Sequence, residues 1–266
     1  MKPTAMRTRP VSARPGWLQH GLRLLMLLVL CTVALQVVWL ARVAMMRVLD
    51  PQSTSFQRSE IWRLLVDKQQ VAWSQSWADT AQLGRQLPRA VIASEDATFA
   101  EHGGVEWEAI QTAWNRNRSA AARAERVGAP GPAAAARNRS AIIPKVVGGS
   151  TITQQLAKNL FLSGERTAPR KAQEFIITLL LETLLSKERI LEIYLNSVEW
   201  GEGLFGAQAA ARHYFRVDAA RLSADQAARL AVMLPAPKRF EKAPGSAYVL
   251  SRAATIVARM GSVTVP

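Results

Sequence analysis

The sequence predicts an all-α protein: one N-terminal transmembrane helix followed by a mainly helical domain. Three observations carry that expectation. An almost unbroken apolar run lies near the N-terminus, apolar residues recur at three- and four-residue spacing through much of the rest, and hydroxyl residues stand where helix N-caps belong. A chain of 266 residues has room for a membrane segment and one domain with a core of its own.

From Leu24 to Ala41 only Thr32 and Gln36 interrupt the apolar run, which approaches the ~20 residues a helix needs to cross a bilayer. Trp17 and Trp39 stand near its ends, where interfacial aromatics belong. Lys2, Arg7, Arg9 and Arg14 precede it with no acidic residue among them. Residues 1–20 therefore read as a cytoplasmic basic tail, 21–46 as the transmembrane helix and 47–266 as an exported domain. A cleaved signal peptide is the other reading; the run is long for one, and Arg42 and Arg47 follow where small residues should mark cleavage.

The net charge of +14 suits nucleic acid, an anionic membrane surface or a phosphorylated substrate. Export argues against nucleic acid. Cys31 falls inside the apolar run, so the domain has no thiol for a disulfide or a cysteine zinc site. His20, His102 and His213 lack metal-ligand spacing.

Asp50–Ser55 reads as a short polar link. Ile61, Trp62, Leu64, Leu65, Val66, Trp73 and Trp77 follow at partly helical spacing, with core packing expected for most and a face dipping into lipid headgroups as the alternative. Leu83–Pro88 reads as a loop, and the next helix starts near Ala90 and stops at Gly103-Gly104. Glu95 and Asp96 lie on this stretch. Adjacent helical residues point about 100° apart, so one carboxylate can face a cleft while the other makes structural bonds. A carboxylate in a partly dry cleft can have its pKa raised and serve as a general base; a solvated acidic pair is the plainer reading. His102 reads as a capping or hydrogen-bonding residue.

Residues 115–147 set seven basic side chains among Ala, Gly and Pro, which reads as a mobile loop able to touch anionic lipid or pyrophosphate, or simply a solvated one. After Gly148-Gly149-Ser150, Thr151 and Gln154 have capping-box spacing, and Leu156, Leu160 and Phe161 recur at helical intervals. Such a helix start suits an anion, and Lys158 adds a cation two turns in; an ordinary capped core helix is equally compatible. In the next helix Arg170, Lys171 and Glu174 share a face, while Phe175, Leu179 and Glu182 form a second set. The first trio is either a surface ion pair or a site joining two cations and a carboxylate. Ser186 caps a helix over Lys187–Leu195, ended by Asn196. Gly201–Gly206 reads as a glycine-rich turn, Ala207–Phe215 and Ala224–Met233 as Ala-rich helices, Leu234–Pro237 as a break, and Tyr248–Met260 as a last amphipathic helix. No Ser-x-x-Lys occurs, so no acyl-transferring module is expected.

Four segments in order resemble the motifs of the family 51 peptidoglycan glycosyltransferases. They are Glu95–Gly103, Gly149–Asn159, Arg170–Glu174 with Leu181-Glu182, and Tyr194-Leu195-Asn196 with its glycine-rich sequel. The single anchor and the stretch Leu234–Phe240 resemble the monofunctional, Gram-negative branch of that family. The 115–147 insert is longer than the family pattern has between its first two motifs. The resemblance implies a lysozyme-like domain in the periplasm, held by a single-pass anchor in the inner membrane with its N-terminus cytoplasmic. It implies polymerisation of lipid II into β-1,4-linked glycan with inversion and release of undecaprenyl diphosphate. Glu95 would be the base, removing the proton from the acceptor 4-hydroxyl, and Glu174 would act on the donor side. Lys158, Arg170 and Lys171 would hold the pyrophosphate. Asp96, Ser150, Thr151, Gln154, Gln155, Asn159, Glu182 and Asn196 would complete the substrate site. A divalent cation, Mg²⁺ or Mn²⁺, would assist, with no ligands assigned. The implied partners are lipid II, the nascent glycan strand, membrane lipids and division proteins, and no nucleic acid. Two rivals stay open: a muramidase on the same scaffold, and a non-catalytic tethered scaffold of the division machinery. A muramidase needs a proton donor to the leaving oxygen but no cations for a diphosphate.

Overall fold

The computed structural model describes residues 16–107, 111–112, 115, 118–119, 150–162, 164–165 and 167–266. The basic tail up to residue 15 and most of the 115–147 insert lie outside the described residues. The chain forms two compact units, Met1–Arg42 and Val43–Pro266.

Most of the described part of the first unit belongs to helix α1, Trp17–Met45. Its 29 residues make about 44 Å at 1.5 Å per residue, more than the ~30 Å of a hydrocarbon core. Its most apolar window has a mean hydropathy of 2.6, and among the described residues it is the one helix long and apolar enough to cross a membrane. Thr32 is tolerated in it because its hydroxyl donates to the Leu28 carbonyl, one turn back, at 2.8 Å.

The second unit is helical with one small sheet. Thr54 starts α2 (Ser55–Lys68) through a capping box with Gln57. A two-residue strand β1 (Ser74–Gln75) and a short α3 (Thr80–Leu83) lead to α4, Gln86–Glu95. Here the structure departs from the loop expected over Leu83–Pro88. Pro88 sits in the first turn of α4, where its missing N–H breaks no helical bond. The helix also ends at Glu95, well before Gly103-Gly104. The Thr151–Gln154 capping box opens α5 (Ile152–Phe161), and Thr167 with Pro169 opens α6 (Ala168–Leu184). Ser186 caps α7 (Lys187–Ser197). After strands β2 (Glu199–Gly201) and β3 (Leu204–Phe205) come α8 (Ala207–Phe215), a 3₁₀ turn at Ala219–Arg221, α9 (Ala224–Met233), α10 (Pro237–Phe240) and α11 (Ala247–Met260).

Two helix groups bury most of the apolar surface. α4 and α11 pack on α9, and α5 packs against α6, α7 and α2. Trp200, Tyr194, Phe99 and Phe205 are the largest side chains fully withdrawn from solvent. Each fully buried large side chain contributes on the order of 1.5–3 kcal/mol. The glycine-rich segment read as a turn is a β2–β3 hairpin, with β1 added parallel to β3 in the order β1-β3-β2. Gly203 makes this possible: its φ is +69°, and a Cβ there would lie 2.0 Å from the Ala72 carbonyl oxygen.

One expectation about an apolar face is corrected, and a second apolar stripe is placed. Along α2 Leu64 is buried but Trp62, Leu65 and Val66 are exposed, while Gln57 and Glu60 point inward. Along α6 the buried face is Glu174, Ile177, Thr178 and Leu181, whereas Phe175, Ile176 and Leu179 look outward. Helical spacing finds a stripe but does not say what covers it.

Candidate active site

The site is assembled around α5. Its first turn is closed by side chains from three other segments. Asp96 Oδ2 accepts from the Ile152 N–H at 3.0 Å, a carboxylate at the positive end of the helix dipole. Asp96 Oδ1 takes a bond from His102 Nε2 at 2.8 Å. The other ring nitrogen, Nδ1, accepts from the Gly104 N–H at 3.0 Å, so the proton of the neutral ring sits on Nε2. Thr151 accepts from the Gln154 N–H while its hydroxyl donates to the Gly104 carbonyl at 2.6 Å. Thr153 donates to Glu182 Oε1, which also receives Lys187 Nζ at 2.9 Å. Gly104, at φ +82°, leaves no room for a Cβ against Glu182 and Thr178. Both Asp96 oxygens, the Thr151 and Thr153 hydroxyls and Glu182 Oε1 all have protein partners here.

Glu95, the neighbour of Asp96, is placed differently. It closes α4 and is half-buried. Burial pushes its carboxyl up from the ordinary 4.5, and the Asp96 charge adds to the push; hydrogen bonds from Gln155 and Ser94 oppose it. Gln155 Nε2 donates to Glu95 Oε2 at 3.0 Å, and Gln155 Oε1 accepts from the Tyr194 hydroxyl at 2.9 Å. Burial holds the Tyr194 phenol well above its ordinary 10, with Glu95 and Asp96 adding to the effect. Tyr194 thus stays a donor and fixes which end of the Gln155 amide faces Glu95. Tyr194 was visible in the sequence only as part of a motif; its role in orienting Gln155 needed the fold.

Beside this chain opens a groove of about 310 Å³, lined among others by Phe56, Gln155, Lys158, Asn159, Arg170, Tyr194 and Glu199. A larger cavity of about 470 Å³, lined by Thr80, Arg85, Arg89, Glu188 and Glu192, contains none of the candidate residues. At the groove's edge α6 presents Arg170 and Lys171 on Glu174. Arg170 Nη1 is 3.1 Å from Glu174 Oε2, and Lys171 Nζ pairs with the other oxygen. Glu174 is 4 % exposed, so its charge is shared between two cations. Arg170 Nε is buried without an acceptor.

The structure thus brings Gln155, Lys158, Asn159 and Arg170 to one groove, joined to Glu95 through Gln155. Lys171 and Glu174 stand at its edge through Arg170. Thr151, Gln154, Asp96 and Glu182 sit instead in the bonded frame behind it. Ser150 is exposed. Asn196 is buried elsewhere: its amide clamps Ala78 through both N–H (2.9 Å) and carbonyl (2.8 Å). Glu199, which sequence reasoning passed over, lines the groove.

Asp96, His102 and Glu106 present ligand-type atoms within 4.8 Å of one another, an acidic cluster of the size a cation takes. Both His102 ring nitrogens are engaged, so a cation there would rest on the Asp96 and Glu106 carboxylates, whose oxygens keep lone pairs beyond the hydrogen bonds they accept.

A desolvated carboxylate held by a neutral hydrogen-bond chain, next to a groove edged with cations, is the arrangement that acid–base chemistry on an anionic substrate requires. The family model described as Transglycosylase matches residues 64–261. A "Biosynthetic peptidoglycan transglycosylase" of Paraburkholderia phytofirmans is 46% identical over 260 residues, 97% of this chain and 98% of that protein. A protein of the same description from Burkholderia pseudomallei is 51% identical over 233 residues, 88% of this chain and 82% of its own length. The chain belongs to the transglycosylase family, with the lysozyme-like, mainly helical domain of that family.

Proposed function

We propose that this protein is a peptidoglycan glycosyltransferase that polymerises lipid II into β-1,4-linked glycan with inversion, releasing undecaprenyl diphosphate. The family and the activity its relatives are named for support the reaction class. The observation that carries the assignment here is the Tyr194–Gln155–Glu95 chain beside the Lys158 and Arg170 groove.

Glu95 takes the proton of the acceptor's 4-hydroxyl. The freed oxygen pair attacks the donor's anomeric carbon as the bond to the diphosphate oxygen breaks, so one in-line displacement inverts that carbon. A raised carboxyl pKa makes Glu95 a stronger base than an exposed glutamate. The departing diphosphate is already a good leaving group and needs charge neutralisation more than a proton. Lys158, Arg170 and Lys171 supply it. Glu174 orients Arg170 and Lys171. Asp96, Thr151, Gln154 and Glu182 hold the start of α5 rigid, and Asn196 pins the segment at Ala78.

A muramidase needs a protonated acid facing the base across the sugar. Glu174 is poorly suited to that, held between two cations. A divalent cation bound near the diphosphate would add to its neutralisation, and no step is routed through it. α1 would anchor the chain in the inner membrane, with the basic tail cytoplasmic and the domain periplasmic. Membrane lipids would then flank the domain.

Incubation of the purified protein with labelled lipid II, with and without EDTA, tests the reading, with glycan products resolved on gels. Polymer is expected from the unaltered protein. Glu95→Gln should lower its formation by at least about a hundredfold with the thermal transition unchanged. Full activity in that variant would remove Glu95 as the base.

A further inference from the structure

On the wall of the groove formed by β2, Glu199 is 8 % exposed, and its Oε1 has no hydrogen-bond partner. Lys238 Nζ lies 3.4 Å from that oxygen, an ion contact without hydrogen-bond geometry. The reason is competition. Lys238 makes its short contact, 2.6 Å, with Glu60 Oε1, and Glu60 also receives Arg63 Nε at 3.0 Å from each of its oxygens. Burial alone would raise Glu60, but the hydrogen bonds from Arg63 and Lys238 outweigh it and hold that carboxyl below 4.5. Glu199 keeps only the remainder of the Lys238 charge. Burial pushes it up to about 7, with Glu60 and Glu241 adding to the push and Lys238 opposing it.

A buried polar atom without a partner is rare, because it forfeits its hydrogen bonds to water and gains none in return. Two such atoms belong to residues lining this one groove, and they are of opposite kind. Arg170 Nε is a donor lacking an acceptor, and Glu199 Oε1 is an acceptor lacking a donor. A ligand whose binding turns both side chains toward the groove would satisfy both if it carried an anionic oxygen and an O–H or N–H group. A diphosphate alone supplies the first and not the second. A glycosyl diphosphate supplies both.

Resting on the function proposed above, we infer that Glu199 is a substrate-binding residue whose Oε1 accepts a hydrogen bond from a hydroxyl or amide N–H of the sugar, while the diphosphate lies on the Arg170 side of the groove. Glu199 thereby reads the sugar part of the substrate. It takes no part in proton transfer to the reacting oxygen, which Glu95 performs.

The test measures equilibrium binding to full-length protein in detergent micelles. The Glu95→Gln background keeps the ligand from being consumed. Two ligands are compared, lipid II and undecaprenyl diphosphate, which shares the lipid and the phosphates but has no sugar. Adding Glu199→Leu, close in volume and without an acceptor, should weaken lipid II binding about tenfold or more and leave undecaprenyl diphosphate within about twofold. Glu199→Gln keeps a carbonyl acceptor and should restore lipid II binding to within about threefold of the parent. An unchanged lipid II affinity in Glu199→Leu would overturn the inference. So would equal losses for both ligands, the mark of a groove that has merely collapsed. If Glu199→Leu melts early without ligand, Glu199→Ala is read by the same two-ligand criterion. Failure of even the unaltered protein to bind or polymerise lipid II would instead overturn the proposed function, and this inference with it.

Discussion

The two ends of α5 contain similar polar residues and treat them in opposite ways. At its start, Thr151, Gln154, Asp96 and Glu182 have their hydrogen bonds filled by protein groups. Two turns on, the helix faces a groove where Arg170 Nε and Glu199 Oε1 have none, and where Glu95 is desolvated with a neutral amide for company. Satisfied polar groups hold the backbone in place. Unsatisfied ones next to a cavity are poised for a ligand. The neighbouring Glu95 and Asp96 fall on opposite sides of that division.

The sharpest way to break this comparison is at Asp96. Asp96→Ala removes a carboxylate from a helix start and leaves the His102 N–H and Ile152 N–H without their acceptor. It should cost about 3 kcal/mol of stability by urea unfolding, where Glu95→Gln should cost little. A variant at Asp96 that unfolds like the parent but loses activity would move Asp96 to the binding side.

A second effect of similar size depends on pH. Below 4.5, Glu199 is protonated in both folded and unfolded chains and makes no difference. As pH rises from 4.5 to about 7 the unfolded chain releases that proton and the folded one retains it. The parent should therefore lose stability relative to Glu199→Gln across that window, up to about 3 kcal/mol above pH 7. Melting temperatures that run parallel from pH 4 to pH 8 would show that Glu199 is not desolvated.

Lys158→Ala tests the groove side at smaller cost. Lys158 is exposed, so folding should be little affected, while affinity for undecaprenyl diphosphate should fall about tenfold, roughly 1.4 kcal/mol. The smallest change belongs to the frame. Thr151→Ala removes one N-cap and should lower stability by about 1 kcal/mol, with binding unaltered once the protein is folded. A loss of affinity without a loss of stability there would return Thr151 to the substrate site.

Much of the fold is legible locally. Capping boxes at Thr151–Gln154, and N-caps at Ser186, announce helices because a hydroxyl three residues from a free N–H is a local event. The bounds of Ala224–Met233, capped by Ser223, can be read for the same reason; those of Ala207–Phe215, which follows Gly206 with no side-chain cap, rest on its Ala-rich run alone. The β1-β3-β2 sheet cannot, since Ser74 and Leu204 meet only after the chain between them has folded. Pro88 misled because a proline in a first turn looks, in sequence, like one in a loop. The outward stripe of α2 misled because periodicity contains no information about what packs where.

For the site, covalent order alone sets the residue types: a Glu-Asp pair, a capped helix with Lys158, and Arg170, Lys171 and Glu174 at one-turn spacing. Those facts follow from chain order and helix geometry, which act within a few residues. It takes packing to settle that Glu95 is dried while Asp96 is bonded, that Tyr194 fixes the Gln155 amide, and that Lys238 favours Glu60 over Glu199. Each of these depends on desolvation and on competition for one donor or one cation. Such competition is settled between residues 39 to 178 positions apart, so no local pattern can announce it.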